Sequence, residues 1–77
     1  MKAVEELDVV VLQRELAEFG LRPGDLGTVV HRYGDGKAVE VEFVTGSGDT
    51  VAVATLEVAD VRPMGKHEIL HVREIGA

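Results

Sequence analysis

Two β-branched runs separated by glycine-rich turns constrain the fold more than any other feature of this chain. Residues 21–30 read LRPGDLGTVV, so that a Pro-Gly-Asp turn leads directly into the first run. The second run, VEVEFV, occupies residues 39–44, and a Gly-Asp-Gly turn at residues 34–36 separates it from the first. Glycine adopts the positive φ of a tight turn at no steric cost, and β-branched residues favour strands. We therefore predict a small antiparallel sheet with strongly bent strands.

The second run has a period of two. Val39, Val41 and Phe43 alternate with Glu40 and Glu42. Successive side chains of a strand point to opposite faces of the sheet, so the apolar residues are expected to face the core. The two glutamates then face solvent, which predicts a sheet with one buried face and one wet face.

The other elements are predicted from apolar runs bounded by turn residues. The predicted strands are Asp8–Leu12, Gly27–Tyr33, Val39–Val44, Thr50–Leu56 and Val61–Pro63, with a 3-10 turn at Val58–Asp60. In the fourth strand, Val51 and Val53 are expected to face the core. Pro63 has no N–H to donate to a ladder, so the last strand is expected at an edge of the sheet.

Two interpretations remain open for residues 4–19. One is a strand over Asp8–Leu12 followed by a long loop with a helical turn. The other is a helix that reaches back to Val4. The three consecutive valines favour the strand, and Gly20 with Pro23 ends the segment in either case.

Five short strands within 77 residues favour closure into a barrel, because an open sheet leaves long edges exposed. The predicted fold class is therefore all-β, with a small five-stranded barrel over residues 1–64. Residues 65–77 form a C-terminal extension with an apolar stripe of Ile69, Leu70, Val72 and Ile75. This stripe suits an extra strand or a helix, which we expect to pack on the barrel or on a second copy.

Composition narrows the class of function. The chain has no cysteine, which excludes disulfides and thiolate metal sites. Fourteen acidic residues against eight basic ones give a net charge of −6, which disfavours nucleic acid as the ligand. The sequence begins without a signal-peptide pattern and contains no apolar run long enough to cross a bilayer. We expect a cytoplasmic protein that binds neither nucleic acid nor membrane.

These motifs resemble those of two related groups of small barrels. The segment GDLGTVV at residues 24–30 resembles the bent turn of SH3-like barrels of the KOW type. Together with LDVVVL at 7–12, VEVEFV at 39–44 and VRP at 61–63, it resembles the bacterial domain-of-unknown-function 4926 family. The resemblance implies an SH3-like barrel without assigned catalytic residues. It also implies a small companion protein of an antitoxin-like or immunity-like kind.

The segment His67-Glu68-Ile69-Leu70-His71 matches the zincin pattern His-Glu-x-x-His. On a helix, this spacing places two imidazoles on one face, where they hold Zn²⁺ beside the glutamate as general base. A catalytic zinc needs a third protein ligand, yet only six residues follow His71, and Glu74 stands where the longer pattern has glycine. We therefore predict that the chain is not an enzyme and has no cofactor, with Zn²⁺ binding by His67 and His71 left open.

The candidate partner-binding residues lie on the third strand and on a preceding loop. Glu40 and Glu42 form an acidic stripe, with Arg32 and Lys37 predicted opposite as cross-strand ion pairs. In SH3-like barrels, the loop that corresponds to Gln13–Arg22 commonly helps to form a ligand groove. The candidate contacts are Leu16, Phe19, Leu21, Tyr33, Glu40 and Glu42, with the aromatic residues as anchors. His31 is expected to face solvent.

The function expected from these patterns is a non-enzymatic protein-interaction module with a protein partner. A metal-binding role through His67 and His71 and a role as accessory subunit of a larger complex are the alternatives. An RNA-binding, KOW-like role is disfavoured by the acidic charge balance. The exposed apolar stripe of the C-terminal segment also allows a homodimer.

Overall fold

The computed structural model describes residues 4–76, and its regular structure is almost entirely β. The strands are β1 (Val9–Leu12), β2 (Leu26–Arg32), β3 (Ala38–Val44), β4 (Thr50–Glu57) and β5 (Val61–Pro63). Two single-turn 3-10 helices, Ala17–Phe19 and Val58–Asp60, interrupt the connections. All five predicted strands are confirmed within one residue at each end. The first segment is the predicted strand with a helical turn in the loop, and not a helix.

The five strands form one antiparallel sheet in the order β4-β3-β2-β1-β5. The register pairs Val9 with Thr28 and Val10 with Pro63, so β1 lies between β2 and β5. Within residues 4–76, no ladder joins the two edge strands, β4 and β5, and the sheet remains open. The strand order is compatible with an SH3-like topology, but the predicted closure into a barrel is not confirmed. Pro63 ends an edge strand, as predicted.

The inner face of this sheet builds the core. In β3, Val39, Val41 and Phe43 are buried, while Glu40 and Glu42 lie on the outer face, as the alternation predicts. The other buried apolar residues are Val4, Val10, Val11, Leu12, Leu16, Leu21, Val29, Ala52, Ala54, Leu56 and Val61. No polar side chain is buried among the described residues, so burial of apolar surface stabilises this fold.

The prediction that Val51 and Val53 face the core is wrong for Val53, which is exposed. Val51 lies at a bulge and packs partly buried against the core, while Ala52, Ala54 and Leu56 supply the inward face of β4. Residues that pair directly across two strands share a face of the sheet, and these three pair with the buried residues of β3. Pairing register therefore overrides the greater hydrophobicity of valine relative to alanine.

A β-bulge in β2 changes the predicted pairing across the outer face. The register shifts between Val29 and His31, which leaves Val30 without a partner. As a result His31 lies opposite Glu40, and Arg32 lies opposite Val39. The predicted ion pairs of Arg32 and Lys37 with the two glutamates of β3 are therefore wrong.

The tail, residues 64–76, is neither a strand nor a helix, which corrects the prediction of an extra regular element. It begins with a turn in which the Glu68 N–H donates to the Gly65 carbonyl at 3.3 Å. Further on, Ile75 packs against the core, but Ile69 and Val72 remain exposed. Without burial of the apolar stripe, no packing stabilises a regular element here. None of the helical segments in residues 4–76 has the length and apolar character that a membrane-spanning helix requires.

Candidate protein-binding surface

The outer face of β3 carries two carboxylates that neighbouring hydroxyl groups hold in place. Glu40 accepts hydrogen bonds from the Tyr33 hydroxyl at 3.0 Å and from the Thr55 hydroxyl at 3.4 Å. Glu42 accepts one from the Thr50 hydroxyl at 2.8 Å. We refer to these five residues as the acidic face. Three strands or their ends supply it, so the sheet itself determines its geometry.

The carboxylates of the acidic face keep their negative charge uncompensated. Within residues 4–76, neither Glu40 nor Glu42 forms an ion pair, because the salt bridges there connect other residues. Hydroxyl donors are neutral, so they orient the carboxylates without cancelling their charge. An oriented but unneutralised pair of carboxylates attracts cationic groups of a partner.

Tyr33 places an aromatic side chain beside these charges. Its ring is exposed and lies edge-on to the His31 ring, with 4.6 Å between the ring centroids. The hydrogen bond to Glu40 raises the pKa of Tyr33 above its ordinary value, so the hydroxyl remains a donor. His31 is exposed, as predicted, with its Nδ1 atom 3.7 Å from a carboxylate oxygen of Glu6. Tyr33 thus offers apolar contact area directly beside the two charges.

The structure divides the other candidate residues between the core and the surface. Leu16 and Leu21 bridge to each other and are buried in the core, which removes both from any binding surface.

Phe19 is exposed at the end of the first 3-10 helix, where Gly20 adopts a φ of 71°. The aromatic pairing found within residues 4–76 joins His31 to Tyr33 and does not include Phe19. Only Tyr33, Glu40 and Glu42 of the six candidates therefore form one contiguous group.

Thr50 and Thr55 belong to this surface but were not predicted from the sequence. The sequence feature that could have identified Thr55 is the polar turn at residues 45–49, because this turn joins β3 to β4 and sets their register. That register places Thr55 directly opposite Glu40. The register therefore identifies Thr55 as a partner of Glu40, whereas Thr50 lies opposite Val44 beyond a bulge and reaches Glu42 diagonally.

The His-Glu-x-x-His segment lacks the helical geometry of the zincin pattern. Its residues lie in the irregular tail, so the helical spacing that would bring His67 and His71 onto one face is absent. Glu68 is instead engaged with Arg62 through two hydrogen bonds of 2.6 Å, and it also accepts the Gly65 N–H. In the part of the chain that the structure describes, no group of three His, Cys, Asp or Glu residues could hold a metal ion.

A second ion pair holds the far end of the tail. The Arg73 guanidinium donates to both carboxylate oxygens of Asp25, from Nε at 2.8 Å and from the terminal nitrogen at 2.5 Å, and also to the Gly20 carbonyl. Burial of Asp25 raises its pKa, but the hydrogen bonds from Arg73 and from the Arg22 N–H outweigh this and leave the pKa below its ordinary value. The tail is therefore anchored at Glu68 and again at Arg73.

We expect Arg62→Gln to raise the pKa of Glu68 from about 2 towards its ordinary value of 4.5. The two Arg62 hydrogen bonds are the largest cause of the low pKa, followed by the Gly65 N–H. Because the pKa is depressed in the folded state, the contact stabilises the fold fully above about 4.5 and is lost as the pH falls through about 2. An NMR titration of the Glu68 carboxyl carbon measures this pKa.

Arg73→Gln is the matched control for this titration, because it removes the guanidinium of the second tail anchor and leaves Arg62 in place. The pKa of Glu68 should then stay near 2. An equal rise in both variants would show that Glu68 responds to the general charge of the tail and not to its contact with Arg62.

The fold and this surface define a class of protein: a small all-β domain with an acidic outer sheet face. The chain belongs to the family described as Domain of unknown function (DUF4926), whose sequence pattern matches residues 6–63. This region contains the entire sheet and ends with β5, so the tail lies outside it. No curated protein and no solved structure matches the chain significantly.

Proposed function

We propose that this chain is a non-enzymatic protein-interaction module of the bacterial cytoplasm, and that it binds a basic segment of its partner through the acidic face. The observation that carries the proposal is the pair of carboxylates, Glu40 and Glu42, oriented by hydroxyl groups and paired with no cation within residues 4–76. A role as an antitoxin-like or immunity-like companion is consistent with a small domain that binds one protein.

Charge complementarity determines the chemistry of the partner. The chain carries a net charge of −6, so its long-range field attracts a basic protein and repels an acidic one. At short range, Lys or Arg side chains can bond to Glu40 and Glu42, which retain acceptor capacity beyond their hydroxyl partners. The exposed ring of Tyr33 adds an apolar and cation–π contact beside them.

Phe19 is a separate candidate contact, on the loop that precedes β2 and outside the acidic face. Its side chain is exposed although it is aromatic, and its neighbours Leu16 and Leu21 are buried and hold the loop to the core. A loop attached in this way presents Phe19 with little conformational freedom. Rigid aromatic anchors lose little entropy on binding, which suits Phe19 to this role.

We expect Glu40→Gln combined with Glu42→Gln to weaken partner binding by about tenfold or more, because two charge-assisted contacts are lost. Glutamine keeps the carbonyl acceptor for the three hydroxyl groups, so the fold should be retained. The measurement is capture of a stoichiometric partner from a native lysate by the tagged chain, followed by titration of the purified partner at low and high salt.

Glu5→Gln combined with Glu74→Gln is the matched control, since it also removes two exposed negative charges and leaves the acidic face intact. The control should bind as the unmodified chain does. Equal binding by the Glu40 and Glu42 double variant would exclude the acidic face as the contact. If Phe19→Ala lost binding while that double variant retained it, the contact would lie on the loop.

A further inference from the structure

The free edge of β4 is unusually open to pairing with another strand. β4 lies at the end of the sheet and pairs only with β3, so the backbone groups on its other side have no ladder partner within residues 4–76. Its eight residues, TVAVATLE, include no proline, lysine or arginine. The opposite edge strand, β5, has three residues and ends in proline. Short strands, prolines, lysines and bulges are the usual protections of a sheet edge, and of these β4 has only a bulge near its start, at Val51.

The tail contains a segment suited to such an edge. In residues 69–72 (ILHV), which we call the apolar segment, Ile69 is 93% exposed, Leu70 64% and Val72 90%. The chain runs without a turn or bend over residues 68–74. Among residues 4–76, no backbone–backbone hydrogen bond involves this segment. The ion pairs at Glu68 and Arg73 flank it and hold it in this exposed position.

The edge and the segment lie on the same side of the molecule. A groove of about 480 Å³ separates the tail from the sheet, and both Val51 of β4 and Val72 of the apolar segment line it. An isologous dimer requires that each copy present both the donating and the accepting surface to the same two-fold axis. The shared groove shows that the two surfaces are close together in each copy, as this arrangement needs.

We propose that the chain forms a two-fold symmetric dimer in which the apolar segment of each copy pairs with the β4 edge of the other. Charge favours this arrangement over an edge-to-edge dimer. β4 is preceded by Asp49 and ends in Glu57, whereas residues of both signs flank the apolar segment, with Lys66 and Glu68 before it and Arg73 and Glu74 after it. Two β4 edges paired antiparallel about Val53 would place Asp49 opposite Glu57, and like charges directly opposite are destabilising. The proposed contact uses the backbone edge of β4, the strand that also supplies Thr50 and Thr55 of the acidic face, but it does not use Glu40 or Glu42 and does not rest on the proposed function.

Engineered cysteines can identify the pairing directly, because the chain has no cysteine of its own. We would mix the Val53→Cys protein with the Leu70→Cys protein, and separately with the Val72→Cys protein, under mild oxidation. All three positions are exposed, so the substitutions should not disturb the fold. We expect the mixed disulfide to exceed either self-crosslink several-fold, because a disulfide forms only between Cβ atoms about 3.5–4.5 Å apart.

Dominant Val53→Cys self-crosslinks would show edge-to-edge pairing, and dominant tail self-crosslinks would show tail-to-tail pairing. Either result overturns the proposal.

Sedimentation equilibrium of the unmodified full chain provides the second readout. The expected mass approaches twice the chain mass of 8.3 kDa as concentration rises.

Leu70→Lys should raise the dissociation constant at least about tenfold, because the added charge must lose its hydration in the contact. Val30→Lys, a matched change at an exposed valine of the β2 bulge, should leave it unchanged. A monomer at every concentration would refute the dimer. The Glu40→Gln and Glu42→Gln double variant should have the same mass as the unmodified chain, so that the dimer and the partner-binding proposal are tested separately.

Discussion

Replacing Gly27 by valine is expected to remove most of the stability of this fold. A Cβ atom at this position would lie 2.5 Å from Val41 Cγ1 and 2.9 Å from Phe43 Cε1. Both neighbours are buried on the inner face and cannot move aside into solvent. Even one extra methyl group in a packed core costs about 1–3 kcal/mol, so Gly27→Ala should already be destabilising. Valine adds three carbons to a domain whose total stability is roughly 4–12 kcal/mol at its 77 residues.

Urea denaturation of the two variants measures these losses. Gly34→Ala and Gly46→Ala are the controls, because an added Cβ meets no atom within 4 Å at either position and neither glycine has a positive φ. They should change the free energy of unfolding by no more than about 0.5 kcal/mol, or stabilise the fold slightly. If Gly27→Ala behaved like these controls, the close approach of β2 and β3 at this point would be disproved.

Phe43→Ala is expected to lower the free energy of unfolding by about 3–5 kcal/mol. Phe43 is 2% exposed and lies on the inner face of β3, opposite the small side chain of Ala52. No larger neighbour is available across that pair to fill the cavity that alanine would leave. The matched control is Val44→Ala at the next position, which is exposed and should cost little.

A double-mutant cycle connects these two predictions. In a Phe43→Ala background, Gly27→Ala should cost less than in the unmodified chain, because two of the three atoms closest to the added Cβ belong to the removed ring. The relief should be partial, since the Val41 contact remains. We expect a coupling free energy within the range of about 0.5–3 kcal/mol for residues in contact. Strict additivity would show that Gly27 and Phe43 do not touch.

The acidic face shows how far sequence can predict a candidate site. The alternation in residues 39–44 was sufficient to place Glu40 and Glu42 on one wet face and Phe43 in the core. It was not sufficient to predict their partners. Those depend on the register of β3 with β2 and β4, and the bulge at Val30 shifts that register by one residue. Hydrophobic periodicity contains no information about such an insertion in a neighbouring strand.

The loop and the tail show the same limit for apolar residues. Leu16 and Phe19 are both large and apolar, and their positions in the loop gave no reason to separate them. The backbone bridge between Leu16 and Leu21 places both leucines in the core and leaves Phe19 outside. In the tail, the Glu68 of an apparent zinc-binding motif is instead a partner of Arg62, a residue of β5.

The sequence by itself determined the all-β class, the bounds of the five strands and the inward face of β3. These properties follow from local preferences: β-branched residues favour strands, glycines permit turns, and a period of two separates the faces. Tertiary structure alone decided the inward face of β4, the neutral partners of the acidic face and the irregular course of the tail. The first two depend on which residues lie opposite one another across strands, and the burial of the whole apolar face sets that pairing. The course of the tail depends on ion pairs between residues far apart in sequence, such as Asp25 and Arg73.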